Sequence, residues 1–183
     1  MIRKATAADI DAIEASYNEL FEHERRNGSL TQWIQGLYPT RATAEGGVER
    51  GEMYVYYIDD KLAASMILNS HQPAEYYDIP WVYDASDEEV MVIHTLCVPP
   101  SMSGRGLGTL MVGFATGFAL GAGKRVMRLD TNIQNLPAQR LYQKLGYRLA
   151  GRHHSLHEGV LDTTLVYLVY LLWQCKSSPQ ELT

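Results

Sequence analysis

The sequence predicts one α/β (α+β) domain, and three stretches predict it. Glu89 to Gly108, EVMVIHTLCVPPSMSGRGLG, reads as a buried strand, a proline break and a glycine-rich turn opening a helix. Glu52 to Asn69 alternates apolar and polar residues on both sides of Asp59-Asp60, the pattern of a hairpin. Arg125 to Asp130 reads as a second apolar strand, followed by a helix from Asn135. With 183 residues, the chain is long enough to bury one proper core.

Taken in order, Ile2-Arg3-Lys4 makes a short first strand. Thr6 and Asp9 form a capping pair, and Ile10, Ile13, Tyr17, Leu20 and Phe21 recur at helical spacing until Asn27-Gly28. A second helix is expected through Trp33 and Leu37, interrupted at Pro39 and resuming from Thr40 to Arg50. After the hairpin, Ser70 to Asp87 is an acidic loop carrying Tyr76, Tyr77, Trp81 and Tyr83, of a length that often binds. The central strand holds Val90, Val92, Ile93, Leu96 and Val98, and Pro99-Pro100 remove two ladder donors and end it. The next helix carries Leu107, Leu110, Met111, Phe114 and Phe118, read as its core stripe. Gly113, Gly117 and Gly121 recur at four-residue steps, each costing about 1 kcal/mol of helix propensity unless backbone packing against the sheet offsets it. Tyr147 to His153 and Leu161 to Trp173 close the sheet as a hairpin. The domain is expected to span residues 1–175, with 176–183 a frayed tail.

Composition narrows the classes. Hydrophobic residues make up 46% and charged residues 20%, as in a soluble globular protein. Leu107 to Gly123 carries no charge but is short for a bilayer span, so a buried helix is expected. Cys97 and Cys175 form neither a disulfide framework nor a zinc pattern, and Met1-Ile2-Arg3-Lys4 leads into polar sequence. Both point to a reducing cytoplasm. His153, His154 and His157 cluster without a carboxylate or cysteine at ligand spacing, so no metal is expected. The net charge of −5 is segregated. Leu62 to Gly104 has no Lys or Arg and holds Glu75, Asp78, Asp84, Asp87, Glu88 and Glu89. Lys124 to Arg152 carries Lys124, Arg125, Arg128, Arg140, Lys144, Arg148 and Arg152.

Gly104, Gly106 and Gly108 expose their amides at a helix N-terminus, where the dipole favours an anion such as pyrophosphate. A Walker loop is excluded because Gly106-Leu107-Gly108-Thr109 has no lysine, and the dinucleotide fingerprint misfits this glycine spacing. Leu96-Cys97-Val98 followed by Ser103-Gly104-Arg105-Gly106-Leu107-Gly108 resembles the coenzyme A loop of the GNAT superfamily of acetyl-CoA-dependent N-acetyltransferases. Asn135, Ala138, Leu141-Tyr142, Lys144 and Gly146-Tyr147 resemble the second signature of that family. Ser103 departs from the pattern, standing where the family usually has Arg or Gln.

The resemblance implies a GNAT-like fold: a mixed, mostly antiparallel sheet of about seven strands, splayed between the fourth and fifth, with about four helices. It implies acetyl-CoA (coenzyme A) held by the backbone of Leu96, Cys97 and Val98, by the loop from Ser103 to Thr109, and by Asn135, Ala138 and Tyr142. It also implies Tyr142 as the acid protonating the departing thiolate. His94 is the candidate base: alternation places it on the face of Val92, Leu96 and Val98, and an imidazole titrates near neutrality. Glu88 or Glu89 acting through water is the alternative base. Trp33, Tyr38 and Trp81 are candidate pocket residues for a cationic primary amine, small molecule or peptide, drawn by the acidic stretch. The expected protein is an acetyltransferase, monomer or homodimer, binding neither nucleic acid nor membrane. A non-catalytic acyl-CoA-binding module is the other class.

Overall fold

The computed structural model describes residues 1–157 and 161–172. Trp173, Cys175, the expected tail and the side chain of His157 lie outside the described residues. Seven strands form one sheet: β1 (Arg3–Lys4), β2 (Met53–Ile58), β3 (Lys61–Asn69), β4 (Val90–Cys97), β5 (Val126–Asn132), β6 (Arg148–His157) and β7 (Leu161–Leu171), in the order β1-β2-β3-β4-β5-β7-β6. Only the β4–β5 pair is parallel. Four helices complete the domain: α1 (Ile10–Asn27), α2 (Arg41–Glu49), α3 (Leu107–Gly121) and α4 (Leu136–Lys144). The expected fold class and splay are therefore observed.

Local chemistry explains the elements. Asp59 and Asp60 adopt φ 48° and 58°, the doubly left-handed turn whose twist suits a two-residue hairpin. Asp9 accepts from the Thr6 amide and hydroxyl, from both terminal nitrogens of Arg3 at 2.8 Å, and from the Tyr57 hydroxyl at 2.9 Å. It thus ties β1, the start of α1 and β2 at one buried carboxylate. The Arg3 guanidinium holds that carboxyl well below the usual range against the opposing effect of burial.

The sheet has two covered faces. Met91, Ile93, Met127, Leu129, Val166 and Leu168 pack under α3 and α4 with Tyr142 and Tyr147. On the other face Met53, Val55, Ile67 and Cys97 meet Ile13, Tyr17 and Phe21 of α1 and Ala44 of α2. Val90, Val92, Leu165 and Tyr167 are covered there by Tyr76 and Ile79 from the 70–87 loop. That loop folds down with a 3-10 turn at Ala74–Asp78, so its aromatic residues are largely core.

Several sequence expectations are corrected. No helix forms through Trp33 and Leu37: the chain makes a tight turn there, with Ile34 and Tyr38 bridged as an isolated β-pair. Glu24 at the end of α1 explains it, since its carboxylate takes the amides of Leu30 and Thr31 that a new helix would need. The core face of α3 is Leu107, Met111, Val112, Ala115 and Ala119, whereas Leu110 and Phe118 are 43% and 39% exposed. The small alanines let the helix approach the sheet, and the larger residues are left at the flank. So α3 is not a buried helix, and Gly113, Gly117 and Gly121 do not pack on the sheet, because a Cβ at each would meet nothing within 4 Å. Among the described residues, no helix is long and apolar enough to cross a membrane. His154 does acquire a carboxylate, Asp162 at 3.0 Å, and no group of three metal-ligating side chains occurs among the described residues.

Because Gly117 faces open space at ordinary helical φ, Gly117→Ala should raise the unfolding free energy by about 0.5–1 kcal/mol. Urea denaturation measures it, and a loss of stability would show that the glycine is required for packing after all.

Candidate active site

The site is built where β4 and β5 part. They pair only through Val90↔Val126, Met91↔Met127 and Val92↔Arg128, and then diverge. Just beyond, β4 carries a bulge. His94 sits opposite Ile67 and Cys97 opposite Ser65, so β4 uses one more residue than β3 over that interval. The extra residue is Thr95, held at φ 49°. Its hydroxyl meets that of Tyr38 at 2.9 Å, which pins the 29–39 segment to the bulge.

The bulge overturns the alternation argument for His94. Leu96 and Val98 pack with Met91 and Ile93 on the α3 face, while Val92 and Cys97 belong to the opposite face. An inserted residue shifts the period of two by one, so His94 shares a face with Val92 and not with Leu96 or Val98.

A cavity of about 490 Å³ runs through the divergence. On the α3 and α4 side it is walled by Leu96, Val98, Ser103, Gly108, Asn135, Ala138 and Tyr142. On the α1 side it is walled by His23, Glu24, Thr31, Trp33, Tyr38 and His94. Asp130, Thr131 and Asn132 at the end of β5 form the far lip. No Lys or Arg occurs in its described wall. Burial raises the Tyr142 phenol above its ordinary value, with the Asp130 charge adding in the same direction, so the ring stays protonated at neutral pH. The ring packs 5.7 Å from that of Tyr147.

The glycine turn leads into α3 as expected. Gly104 and Gly106 sit at φ 76° and 73°, and a Cβ on either would meet nothing within 4 Å. The first amide bonded back along the chain is that of Leu110, to Gly106 O at 3.0 Å, so the preceding amides lack helical acceptors. Gly108 permits a close approach of α4: a Cβ there would fall 2.8 Å from Leu141 Cδ2. Arg105 and Thr109 are exposed beside the turn, and Leu107 is buried beneath it. The Asn135 side chain caps α4, accepting from the Ala138 amide at 3.3 Å.

Other sequence candidates fall elsewhere. Cys97 is buried against α1, with Sγ 3.9 Å from Ser16 O, and reaches the cavity only as part of the strand. Trp81 is not on the cavity wall. It packs on Tyr76 and Tyr167, donates to Tyr76 O at 2.7 Å, and lies under the Arg128 guanidinium at 4.3 Å. Glu89 pairs with Arg125 at 2.8 Å, and neither it nor Glu88 lines the cavity.

Glu75, Asp78 and Asp84 do not line it either, and the basic stretch explains where that charge goes. Lys124 donates to Ser70 Oγ and Glu88 O, and Arg125 pairs with Glu89. Arg128 reaches Gln72 and the Tyr83 carbonyl. The two blocks are partners of one another. The carboxylates on the cavity wall are instead Asp130 and Glu24, which sequence reasoning missed. Asp130 could have been found as the one acid on the strand entering the second signature. Glu24 gave no signal beyond its helical position.

A family model described as "Acetyltransferase (GNAT) family" matches residues 10–147. The uncharacterized N-acetyltransferase YesJ of Bacillus subtilis is 30% identical over 111 residues, which cover 60% of each chain. The curated relatives are matched over only 31%, 60% and 51% of their own lengths. A GNAT-family acetyltransferase from Streptococcus agalactiae 2603 superposes with a TM-score of 0.79 at 22% identity, covering 95% of this chain and 96% of that one. The yncA protein of Salmonella typhimurium, solved with its cofactor acetyl-CoA, gives 0.69 at 18% identity, covering 100% and 98%. At these identities the likeness is one of fold.

Glu24 organises the α1-side wall. Besides the two amides, its carboxylate accepts from the hydroxyls of Ser29 and Thr31 at 2.7 and 2.8 Å. Glu24→Ala strands four donors and should destabilise the fold by about 2–4 kcal/mol. A change below about 0.5 kcal/mol in chemical denaturation would remove Glu24 as the organiser of this wall.

Proposed function

The chain belongs to the GNAT acetyltransferase family, and from that premise we propose that it transfers an acetyl group from acetyl-CoA to a cationic primary amine. The amine attacks directly, in a ternary complex. The observation that carries the reading is one cavity in which the unpaired β4 edge, the Tyr142 phenol and the Asp130 carboxylate converge.

The residues present fit the coenzyme. Where β5 leaves β4, the backbone of Leu96 and Val98 faces the gap with no ladder partner across it. The resemblance assigns that edge to the pantetheine arm, and the Val98 amide to the carbonyl oxygen on which charge develops. The Gly104–Gly108 turn, clear of side chains, offers amides to the pyrophosphate, with Arg105 supplying the charge that Ser103 cannot. Asn135 and Ala138 border the arm from α4.

Tyr142 acts as the acid. Its elevated pKa keeps the proton on the phenol until a more basic thiolate forms beside it. His94 acts as the base, on the acceptor side of the cavity. Trp33 and Tyr38, packed edge-to-face at 6.1 Å, give that side aromatic surface, and Asp130 gives it negative charge. An ammonium is drawn there by charge and by the ring faces. The acceptor is a small molecule or a peptide. Acetylation of an amine panel by purified protein, read by thiol release, separates this reading from a non-catalytic acyl-CoA-binding module.

Two variants test the assignment. Arg105→Glu reverses a charge on an exposed side chain without the left-handed strain that any substitution at Gly106 would add. It should weaken acetyl-CoA binding about tenfold or more in calorimetry. Unchanged affinity would remove the turn from the coenzyme site. Tyr142→Phe keeps the ring and loses the proton. Turnover should fall about a hundredfold with acetyl-CoA affinity nearly unaltered, and normal turnover would return Tyr142 to a packing role.

A further inference from the structure

The geometry points to a positioning chain, Glu52–Asn69–His94, that fixes the His94 tautomer and makes Nδ1 the atom that accepts the acceptor's proton. This deepens the proposed function and rests on its assignment of His94 as base.

The chain runs across the β2, β3 and β4 side of the sheet. Glu52 immediately precedes β2, Asn69 ends β3, and His94 stands on β4 one register step before the bulge. The Asn69 side chain has one possible orientation. Its Oδ1 accepts the His71 amide at 2.9 Å, so its Nδ2 must face the other way, where it donates to Glu52 Oε2 at 3.0 Å. Around His94 Nε2 stand two oxygens, Asn69 Oδ1 at 3.0 Å and the His71 carbonyl at 3.1 Å. Both are acceptors, so a lone pair on Nε2 would oppose two others, and Nε2 carries the proton. In the neutral ring the basic lone pair therefore lies on Nδ1.

The step is a simple proton transfer. The acceptor's ammonium gives one proton to Nδ1, leaving the amine with the lone pair that attacks the thioester, and His94 becomes an imidazolium. The positive ring keeps its Nε2–H on Asn69, whose amide in turn points its own N–H at the Glu52 carboxylate. Glu52 thereby stabilises the charged ring without touching it. Glu52 is itself held ionised: hydrogen bonds from Arg50 and Asn69 hold its carboxyl below the usual value despite burial, and the His94 charge contributes. Glu52, Asn69, His71 and His94 all line a second cavity of about 740 Å³, which meets the first at His94 and Thr95.

The charged and titratable groups facing His94 come from several elements. His71 lies 6.4 Å away ring to ring, and Arg50 joins at 2.8 Å from Glu52. Tyr38 is held through Thr95. His23, Glu24 and Asp130 face His94 across the cavity. Any of them could move a His94 titration, so the test targets the chain itself.

Nitrogen-15 NMR of the His94 ring in the full protein reads the tautomer without any activity. The Nε2–H form is expected in the neutral ring, and an Nδ1–H form would overturn the proposal. Glu52→Gln preserves an acceptor for Asn69 but removes the charge. It should lower the His94 pKa by about half a unit or more, with the acid limb of kcat moving alike and acetyl-CoA affinity constant. Asn69→Ala should reduce kcat about tenfold or more, whereas in a His94→Ala background neither substitution should cost anything further. A Glu52→Gln titration identical to that of the unaltered protein overturns the chain, as does full additivity with His94→Ala. If no amine is acetylated at all, the proposed function fails while the tautomer and titration arms still decide the chain.

Discussion

The structure depends on one constraint: a parallel pair that begins in register and cannot stay so. β4 and β5 share three register pairs, and Thr95 at φ 49° then adds a residue to β4. Positive φ is costly for a β-branched side chain, on the order of 1–2 kcal/mol. The Tyr38 hydroxyl on Thr95 Oγ1, together with the β3 pairs on either side, holds it there. Two consequences follow from that single insertion. His94 and Cys97 turn toward α1 while Leu96 and Val98 turn toward α3, and the strand edge beside them is left without a partner. An opening through the middle of a sheet, reachable from both faces, results.

The 29–39 segment belongs to the same constraint. It would cover the α1 side loosely if it were merely a connection. Instead Glu24 gathers Ser29, Leu30 and Thr31 at the end of α1, Tyr38 fastens the other end to the bulge, and Gln32 reaches Gln134 at 3.4 Å beyond β5. The wall facing the acceptor side is thus assembled by hydrogen bonds more than by apolar packing. Such a wall is a low-stability element next to a rigid sheet, which is where adjustable binding surfaces are expected.

Much of this was legible in the residues, and the failures share a cause. The strand, proline break and glycine turn at 89–108 and the helix after Asn135 came from short-range chemistry, and the hairpin at Asp59-Asp60 did too. What failed required knowledge of an approach distance or of an insertion. Ala115 and Ala119 face the sheet because small residues allow closeness, so the larger Leu110 and Phe118 misled the stripe. A bulge leaves no mark in a run such as VIHTLCV, so alternation carried His94 to the wrong face. The segregated charges suggested a substrate-facing acidic surface. They proved to be two halves of one contact, with Arg125 on Glu89 and Arg128 over Trp81. Trp81 followed the charge error away from the cavity.

The acid and base of the proposed reaction are set by opposite environments, and this determines which of them governs the pH response. Tyr142 is enclosed, and burial together with Asp130 pushes its phenol upward, so it remains a donor throughout the neutral range and beyond its ordinary titration. It therefore contributes no acid limb, and any alkaline fall in rate from its loss of a proton is displaced to pH above about 10. His94 is half-buried, with Asn69 and His71 on its Nε2 side and the cavity beyond. Its protonation removes the base as pH falls, which leaves the rising acid limb to His94 or to the amine itself. The same Asp130 that draws an ammonium toward the lip also disfavours a phenolate at Tyr142. One carboxylate then serves both ends of the reaction, favouring a cation on the acceptor side and a neutral donor on the thiolate side.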